Sequence, residues 1–246
     1  MSVKQTFFNN RSPLAWWKIA SFLLLLFVVL KGFTSNVPRL PILNETIRNL
    51  YFHVPMWFGM TAFLLIAFVQ AIIYLSSKTN KPLHDIRSVE YTNMGLCFGV
   101  LGILTGMVWA KSTWGAYWTP DPKLNAAAIG MLIYSAYIVL RGSIQDEEQR
   151  ARISAVFNIF AFPAFVSLVY ILPRLTDSLH PGNGGNPGFN SYDRDRDMNI
   201  IFYSSGLGFI LLGVWITTLR VRLRILKLKV EQALHTSSSS ILDSNQ

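Results

Sequence analysis

Long runs of apolar residues, separated by short polar stretches, are the dominant pattern of this sequence. Six runs are long enough to cross a bilayer, which takes about 20 mostly apolar residues. We place these spans at residues 14–33, 54–75, 89–110, 124–140, 153–172 and 199–219. The pattern therefore predicts an all-α, polytopic integral membrane protein whose six transmembrane helices form a single domain of 246 residues.

Proline residues predict local details of two of these spans. Pro55 suits the first turn of the second helix, and it favours an extended backbone at the preceding residue, Val54. Pro163 lies in the middle of the fifth span and predicts a kink there. No small-residue cleavage site follows the first span, so we expect that span to be retained rather than removed as a signal peptide.

The composition agrees with a membrane protein and excludes several other classes. The chain is 51% hydrophobic and only 14% charged, whereas a soluble domain is about 25% charged. These values exclude a disordered chain and an ordinary soluble enzyme. The single cysteine, Cys97, excludes an internal disulfide, a four-cysteine metal site and a C-x-x-C-H haem attachment.

The distribution of basic residues predicts the orientation in the membrane. Six spans place both termini on one side, and that side carries 14 of the 22 lysines and arginines. Basic residues accumulate on the cytoplasmic side, so both termini are expected inside, and the net charge of +9 reflects orientation rather than nucleic-acid binding. In the tail, 220–246, a basic stretch is expected to contact anionic lipid headgroups, and the serine-rich end is expected to be disordered.

Two of the four histidines fall at the predicted outer membrane boundary. His53 stands where the second span begins, and His180 follows the fifth span. His84 and His235 fall in inner polar segments, where a solvated histidine is expected. Neutral imidazoles on one membrane face can clamp a metal ion or the iron of a haem. The spacing equally allows two interfacial histidines that never meet.

The segment of residues 109–123, which we name the aromatic loop, is unusually rich in tryptophan and tyrosine. It permits two interpretations: an aromatic belt that anchors two helix ends, or a platform for a flat ligand. Trp114 and Trp118 are four residues apart, so a helical turn places both indoles on one face, which Asp121 would continue. Pro120 and Pro122 predict that the helix ends near Trp118. Flanking lysines, Lys111 and Lys123, would suit a planar ligand that bears carboxylates, and haem has that shape.

The pattern Trp114-Gly115-x-x-Trp118-x-x-Asp121 resembles the WWD motif of the haem-handling proteins of cytochrome c maturation. Together with the length, the six spans, the predicted topology and the two histidines, it resembles the CcmC family over roughly residues 14–219. Pro120 stands where the family pattern commonly has its last tryptophan.

This resemblance implies a function, a ligand set and a set of partners. In the family, His53 and His180 would be axial ligands of haem iron, and Trp114, Gly115, Trp118 and Asp121 would hold the haem edge. The haem would be b-type and non-covalently bound. It would be delivered, at the periplasmic face of the bacterial inner membrane, to a CcmE-like haem chaperone. Further implied partners are a CcmA/CcmB-like ABC transporter and a CcmD-like small subunit. The resemblance implies a transfer protein that assists covalent haem attachment to the chaperone, more than an enzyme.

Two other functions remain open at this level. A cytochrome c haem synthetase-like subunit, resembling CcmF or CcsA, would carry more spans and additional histidines within the membrane. None of the six apolar interiors contains one. An unrelated multipass solute transporter would carry polar groups near the bilayer midplane, whereas Glu90 and Asn93 lie near the inner end of the third span.

Overall fold

The computed structural model describes residues 15–181 and 194–243, and within them the chain is helical with turns and short loops. The long helices are α1 (Trp16–Thr34), α2 (Leu50–Ser76), α3 (Lys81–Trp114), α4 (Pro122–Ser143), α5 (Glu147–Val166) and α6 (Arg196–Asp243). A 3₁₀ turn, Asn44–Asn49, precedes α2, and α5 continues as a π-helical turn, Ser167–Ile171, and a 3₁₀ turn, Leu172–Arg174. Six of these segments are long and apolar enough to cross a membrane, which confirms the predicted all-α, six-span architecture.

The start of α2 differs from the prediction. The helix begins at Leu50, so Val54 is helical, and Pro55 lies inside the helix rather than in its first turn. Proline has no N–H, so the carbonyl of Tyr51 loses the partner that residue 55 would provide. The hydroxyl of Ser205 on α6 donates to that carbonyl instead. The predicted extended conformation at Val54 is therefore wrong, because a neighbouring helix compensates for the proline.

Two further helix ends also differ from the prediction. The third helix ends at Trp114, not near Trp118, because Gly115 adopts a left-handed conformation with φ of 81°. The last helix continues to Asp243, although the serine-rich end was expected to be disordered. The sequence from residue 214 onward contains no glycine or proline that would stop a helix. The portion Arg196–Leu234 has 39 residues, about 58 Å of helix at 1.5 Å per residue.

A stripe of glycines on α3 lets α2 pack closely against it. In a membrane, the hydrophobic effect does not drive helices together, because the lipid is as apolar as the helix surface. Close packing at small residues contributes to helix association instead. A Cβ added to any of these glycines would press on one α2 side chain. The pairs run in opposite directions along the two helices: Gly95 with Leu64, Gly99 with Met60, Gly102 with Trp57, and Gly106 with His53. This antiparallel stripe sets the register that places His53 against α3.

Ion pairs join the helices at the opposite end of the bundle. Arg141 on α4 donates two hydrogen bonds to the Asp85 carboxylate on α3, in a bidentate ion pair with distances of 2.9 and 2.7 Å. Glu90 on α3 accepts hydrogen bonds from Arg220 at 2.6 Å and from Arg224 at 3.1 Å on α6. The buried Glu90 carboxylate therefore links α3 to α6.

The outward faces of the helices are apolar, as lipid contact requires. Phe160 and Val139, for example, are 73% and 72% exposed. The first helix lies at the edge of the bundle, where Ser21 donates a hydrogen bond of 3.1 Å to the carbonyl of Gly208 on α6. The central helices, α2 to α5, enclose the largest buried apolar cluster, which includes Phe63, Phe98 and Phe165.

Candidate functional site

A cavity of about 490 Å³ opens at the end of the bundle that carries His53 and His180. Side chains of α2, α3, α4 and the segment that follows α5 line it, and both histidines are among them. We name it the histidine cavity. The structure thus brings to one chamber two residues that are separated by 127 positions of sequence.

His53, the fourth residue of α2, is held by contacts with α3. Its side chain is buried, with the whole residue 8% exposed. Nδ1 lies 3.1 Å from the hydroxyl oxygen of Thr105. The rings of Trp57 and Trp109 pack edge-on to the imidazole, with centroids 6.4 and 5.8 Å away. The indole N–H of Trp109 donates to Thr46 at 3.1 Å, which holds that ring in place.

His180 is held by Asp121, which also begins α4. The Asp121 carboxylate caps that helix by accepting from the backbone N–H groups of Lys123 and Leu124. On its other side it accepts from the Ser178 hydroxyl at 2.9 Å and from the Leu179 N–H at 2.7 Å. Nδ1 of His180 lies 3.3 Å from Oδ1 of Asp121. One carboxylate therefore ties the segment after α5 to the start of α4.

Electrostatics favour an ionised Asp121 beside a neutral His180. Burial alone raises the pKa of the Asp121 carboxyl, but hydrogen bonds from His180, Leu179 and Ser178 outweigh burial and hold the pKa below its ordinary range. Burial lowers the pKa of His180, and the hydrogen bond with Asp121 offsets this only in part. A neutral imidazole is the form that binds a metal.

The structure separates the predicted site residues into two groups. His53, His180, Trp114 and Trp118 line the histidine cavity. Trp114 also packs edge-on to His180, with ring centroids 5.4 Å apart. Gly115 ends α3 with a positive φ.

Asp121 lies behind His180 and is 3% exposed. Its hydrogen bonds orient the histidine and the helix start, so a haem edge would meet His180 rather than this carboxylate. The expected stripe from Trp114 through Trp118 to Asp121 does not form as a helical face, because α3 ends before it.

Several residues in or beside the cavity were not predicted from the sequence. Trp57 lies one turn after His53 on α2, a spacing that could have revealed it. Arg174, at the end of the 3₁₀ turn after α5, also lines the cavity, and its only sequence signal was a basic residue beside the fifth span. Thr105 lies beside the cavity rather than in its lining. It has no sequence signal, because its importance arises from its contact with His53.

The chemistry of the lining suits a flat, largely apolar ligand with anionic groups. The cavity falls within the range of about 300–1,000 Å³ that is typical of small-molecule sites. Indole rings and aliphatic side chains form most of its wall, and Lys123 and Arg174 supply two cations. Among the described residues no group of three or more histidine, cysteine or acidic side chains could hold a bare metal ion. Two imidazoles instead suit the two open axial positions of a metal that a macrocycle already holds.

Comparisons with known proteins agree with this chemistry. The family model described as "Heme exporter protein C" matches residues 2–236. The heme exporter protein C of Haemophilus influenzae is 24% identical over 192 residues, covering 75% of this chain and 73% of that protein. The protein of the same name from Bradyrhizobium diazoefficiens is 22% identical over 205 residues, covering 80% of this chain and 75% of the relative. A cytochrome c biogenesis protein CcsA from Cuscuta reflexa is 35% identical over 88 residues, but these cover only 36% of this chain and 28% of that protein.

Proposed function

Because this chain belongs to the heme exporter protein C family, we propose that it binds haem in the histidine cavity and delivers it to a membrane-anchored haem chaperone during c-type cytochrome biogenesis. The observation that carries this proposal is the joint placement of His53 and His180 in one cavity. The mostly apolar wall, with its indole rings, and the two cations beside the histidines match the remaining features of haem.

Each part of the cavity has a distinct task in this proposal. His53 and His180 bind the haem iron as neutral imidazoles. Trp114 and Trp118 cover the porphyrin, which is b-type and bound without a covalent link. Lys123 and Arg174 pair with the propionates, since charge-assisted hydrogen bonds to carboxylates are short and strong. Asp121 and Gly115 shape the wall without touching the cargo.

The proposed orientation places the histidine cavity at the periplasmic face of the bacterial inner membrane, with both termini in the cytoplasm. The excess of basic residues on the side of the termini supports this orientation. Delivery then takes place in a complex with a CcmE-like chaperone, whose contacts replace those of the cavity. A CcmA/CcmB-like ABC transporter and a CcmD-like small subunit complete the proposed assembly.

A haem titration followed by visible absorption tests this proposal. The full-length protein in nanodiscs is compared with a His53→Ala, His180→Ala double variant and with a His84→Ala control. We expect a six-coordinate bis-imidazole spectrum in the wild type and in the control, and its loss in the double variant. Unchanged haem binding by the double variant would refute the ligand assignment.

The local similarity to a CcsA protein favours a second candidate function, that of a haem synthetase-like subunit. Such a subunit would attach haem to an apocytochrome rather than to a chaperone. Supplying the haem-loaded protein with each acceptor separately, and measuring covalent haem on each, distinguishes the two.

A further inference from the structure

Two acceptors on α3, the Thr105 hydroxyl and the backbone carbonyl of Gly102, contact the imidazole of His53. The Thr105 oxygen lies 2.7 Å from the carbonyl of Leu101 and 3.1 Å from Nδ1 of His53. A hydroxyl has one proton, and Thr105 donates that proton to the Leu101 carbonyl in the short hydrogen bond. The Thr105 oxygen must therefore accept from Nδ1–H of His53, which leaves Nε2 as the unprotonated nitrogen.

His180 is oriented in the same way, but its acceptor is different. Nδ1 of His180 donates to the Asp121 carboxylate, so Nε2 is again the unprotonated nitrogen. A carboxylate acceptor makes an imidazole a stronger metal ligand than a neutral acceptor does. The two histidines therefore differ in basicity: an ionised carboxylate supports His180, whereas neutral partners, the Thr105 hydroxyl and the Gly102 backbone, support His53.

We propose that Thr105 is a positioning residue that selects Nε2 of His53 as a haem ligand, and that its neutral acceptor makes His53 the weaker, first-exchanged axial ligand. This inference rests on the proposed function. In the exchange, the bond between iron and Nε2 of His53 breaks as the lone pair of an incoming ligand forms a new bond to iron. His53 leaves as a neutral imidazole, so the step needs no oxidant, reductant or proton, while His180, which Asp121 orients, remains bound to the iron.

The tautomer of His53 can be measured without haem. The full-length protein, labelled with ¹⁵N in its four histidines and assigned with a His53→Gln variant, reports each ring nitrogen by its ¹⁵N chemical shift. We expect a protonated Nδ1 and an unprotonated Nε2 at His53. Thr105→Val should shift His53 towards a mixture of tautomers, and Thr105→Ser should restore the wild-type signals.

Thr113→Val is the matched control for these variants. Thr113 lies on the same helix, and its hydroxyl also donates to the carbonyl four residues earlier, at Trp109. Its loss should leave the His53 signals unchanged. The positioning role would be overturned if Thr105→Val left the ¹⁵N chemical shifts of His53 unchanged. It would also be overturned if Thr113→Val changed them equally.

Ligand exchange on the haem-loaded protein tests the inequality of the two histidines. Loss of a hydrogen bond to a metal-binding imidazole costs about 10–100-fold in metal affinity, so Thr105→Val should weaken haem binding by about 10-fold. Cyanide added to the wild type should give the absorption spectrum and midpoint potential of the His53→Ala protein with cyanide. If the cyanide-treated wild type instead matched the cyanide-treated His180→Ala protein, the assignment of His53 as the exchanged ligand would be overturned.

The two readouts also separate this inference from the proposed function. Failure of the proposed function is seen in the His53→Ala, His180→Ala double variant, as haem binding that does not depend on the histidines. A double variant that loses haem, beside a His53 that keeps its tautomer in Thr105→Val, refutes only the inference.

Discussion

Gly106 and the imidazole of His53 occupy adjoining space: a Cβ on Gly106 would stand 2.8 Å from Cε1 of His53. Gly106→Ala should therefore displace the ring from its hydrogen bond with Thr105 and weaken haem binding by about 10–100-fold. Gly206→Ala is the control, because no atom lies within 4 Å of its added Cβ. That control should bind haem normally and gain roughly 0.4–1 kcal/mol of stability. Equal haem affinities in Gly106→Ala and Gly206→Ala would contradict the predicted displacement of the His53 ring.

Gly115 should tolerate asparagine better than alanine. Its φ of 81° lies in the left-handed region, which costs most L-residues about 1–2 kcal/mol and asparagine less. Its added Cβ would meet no atom within 4 Å, so any loss reports the backbone conformation alone. The thermal unfolding midpoint should therefore fall in the order wild type, Gly115→Asn, Gly115→Ala. An alanine variant as stable as the wild type would show that the end of α3 has shifted.

Lys123 and Arg174 should recognise the propionates. Removing either cation removes a charge-assisted hydrogen bond worth about 1.5–3 kcal/mol, so Lys123→Gln and Arg174→Gln should each weaken haem binding by about 10-fold or more. Haem dimethyl ester, which lacks the two charges, should bind the wild type and a Lys123→Gln, Arg174→Gln double variant with similar affinity. Lys31→Gln, an exposed cation on the last turn of α1, serves as the control. A variant that discriminates haem from its ester as well as the wild type does would refute the pairing.

Asp121 should make stability depend on pH at the acid end of the range. Its folded-state pKa is held below its ordinary value by hydrogen bonds that overcome burial. The unfolded carboxyl titrates near pH 3.9, so its contribution is complete above that value and is lost as the pH falls towards the folded-state pKa. The difference in melting temperature between the wild type and Asp121→Asn should be large at pH 7 and shrink below about pH 4.

Asp177→Asn is the control for this titration, because Asp177 is an exposed carboxylate of the same segment. Its melting temperature should follow that of the wild type across the range. A constant difference between the wild type and Asp121→Asn from pH 7 to pH 3 would show that the carboxylate charge contributes nothing.

Glu90 should matter for stability but not for haem binding. Its carboxylate is 6% exposed, whereas the two arginine side chains that it binds are 49% and 35% exposed. Solvent screening of these arginines limits the loss in Glu90→Gln to about 1–2 kcal/mol. The control is Glu148→Gln, which removes an exposed carboxylate at the start of α5. Loss of haem binding by Glu90→Gln, in a variant that folds normally, would contradict the separation of this ion pair from the histidine cavity.

The helices were predictable because a bilayer imposes a minimum length of apolar sequence. Their ends were harder, since they depend on contacts with distant parts of the chain. Pro55 is accommodated within α2 by the Ser205 hydroxyl of α6, a compensation that the local sequence does not contain. Gly115 stops α3 four residues before the expected end because it can adopt a positive φ, while the prolines that suggested a later end lie beyond it.

The site was predictable where residue type alone indicates chemistry. His53 and His180 were found from their position at the membrane boundary, but their meeting in one cavity depends on the packing of α2, α3 and α5. Asp121 was expected to hold the haem edge, whereas it accepts hydrogen bonds from Ser178 and Leu179. Such roles depend on side chains that are distant in sequence, and for Thr105 the pattern offered no signal at all.

The order in which the chain is synthesised also bears on when the site can exist. Among the described residues, the wall of the histidine cavity is drawn from positions 50 to 181. His53 leaves the ribosome first, with α2, but His180 follows only after the fifth helix has been made. A nascent chain that stops after α4 therefore presents one imidazole and an incomplete cavity wall. In the proposed function, such a chain offers haem iron only one of its two ligands until the fifth helix and the segment after it have been made.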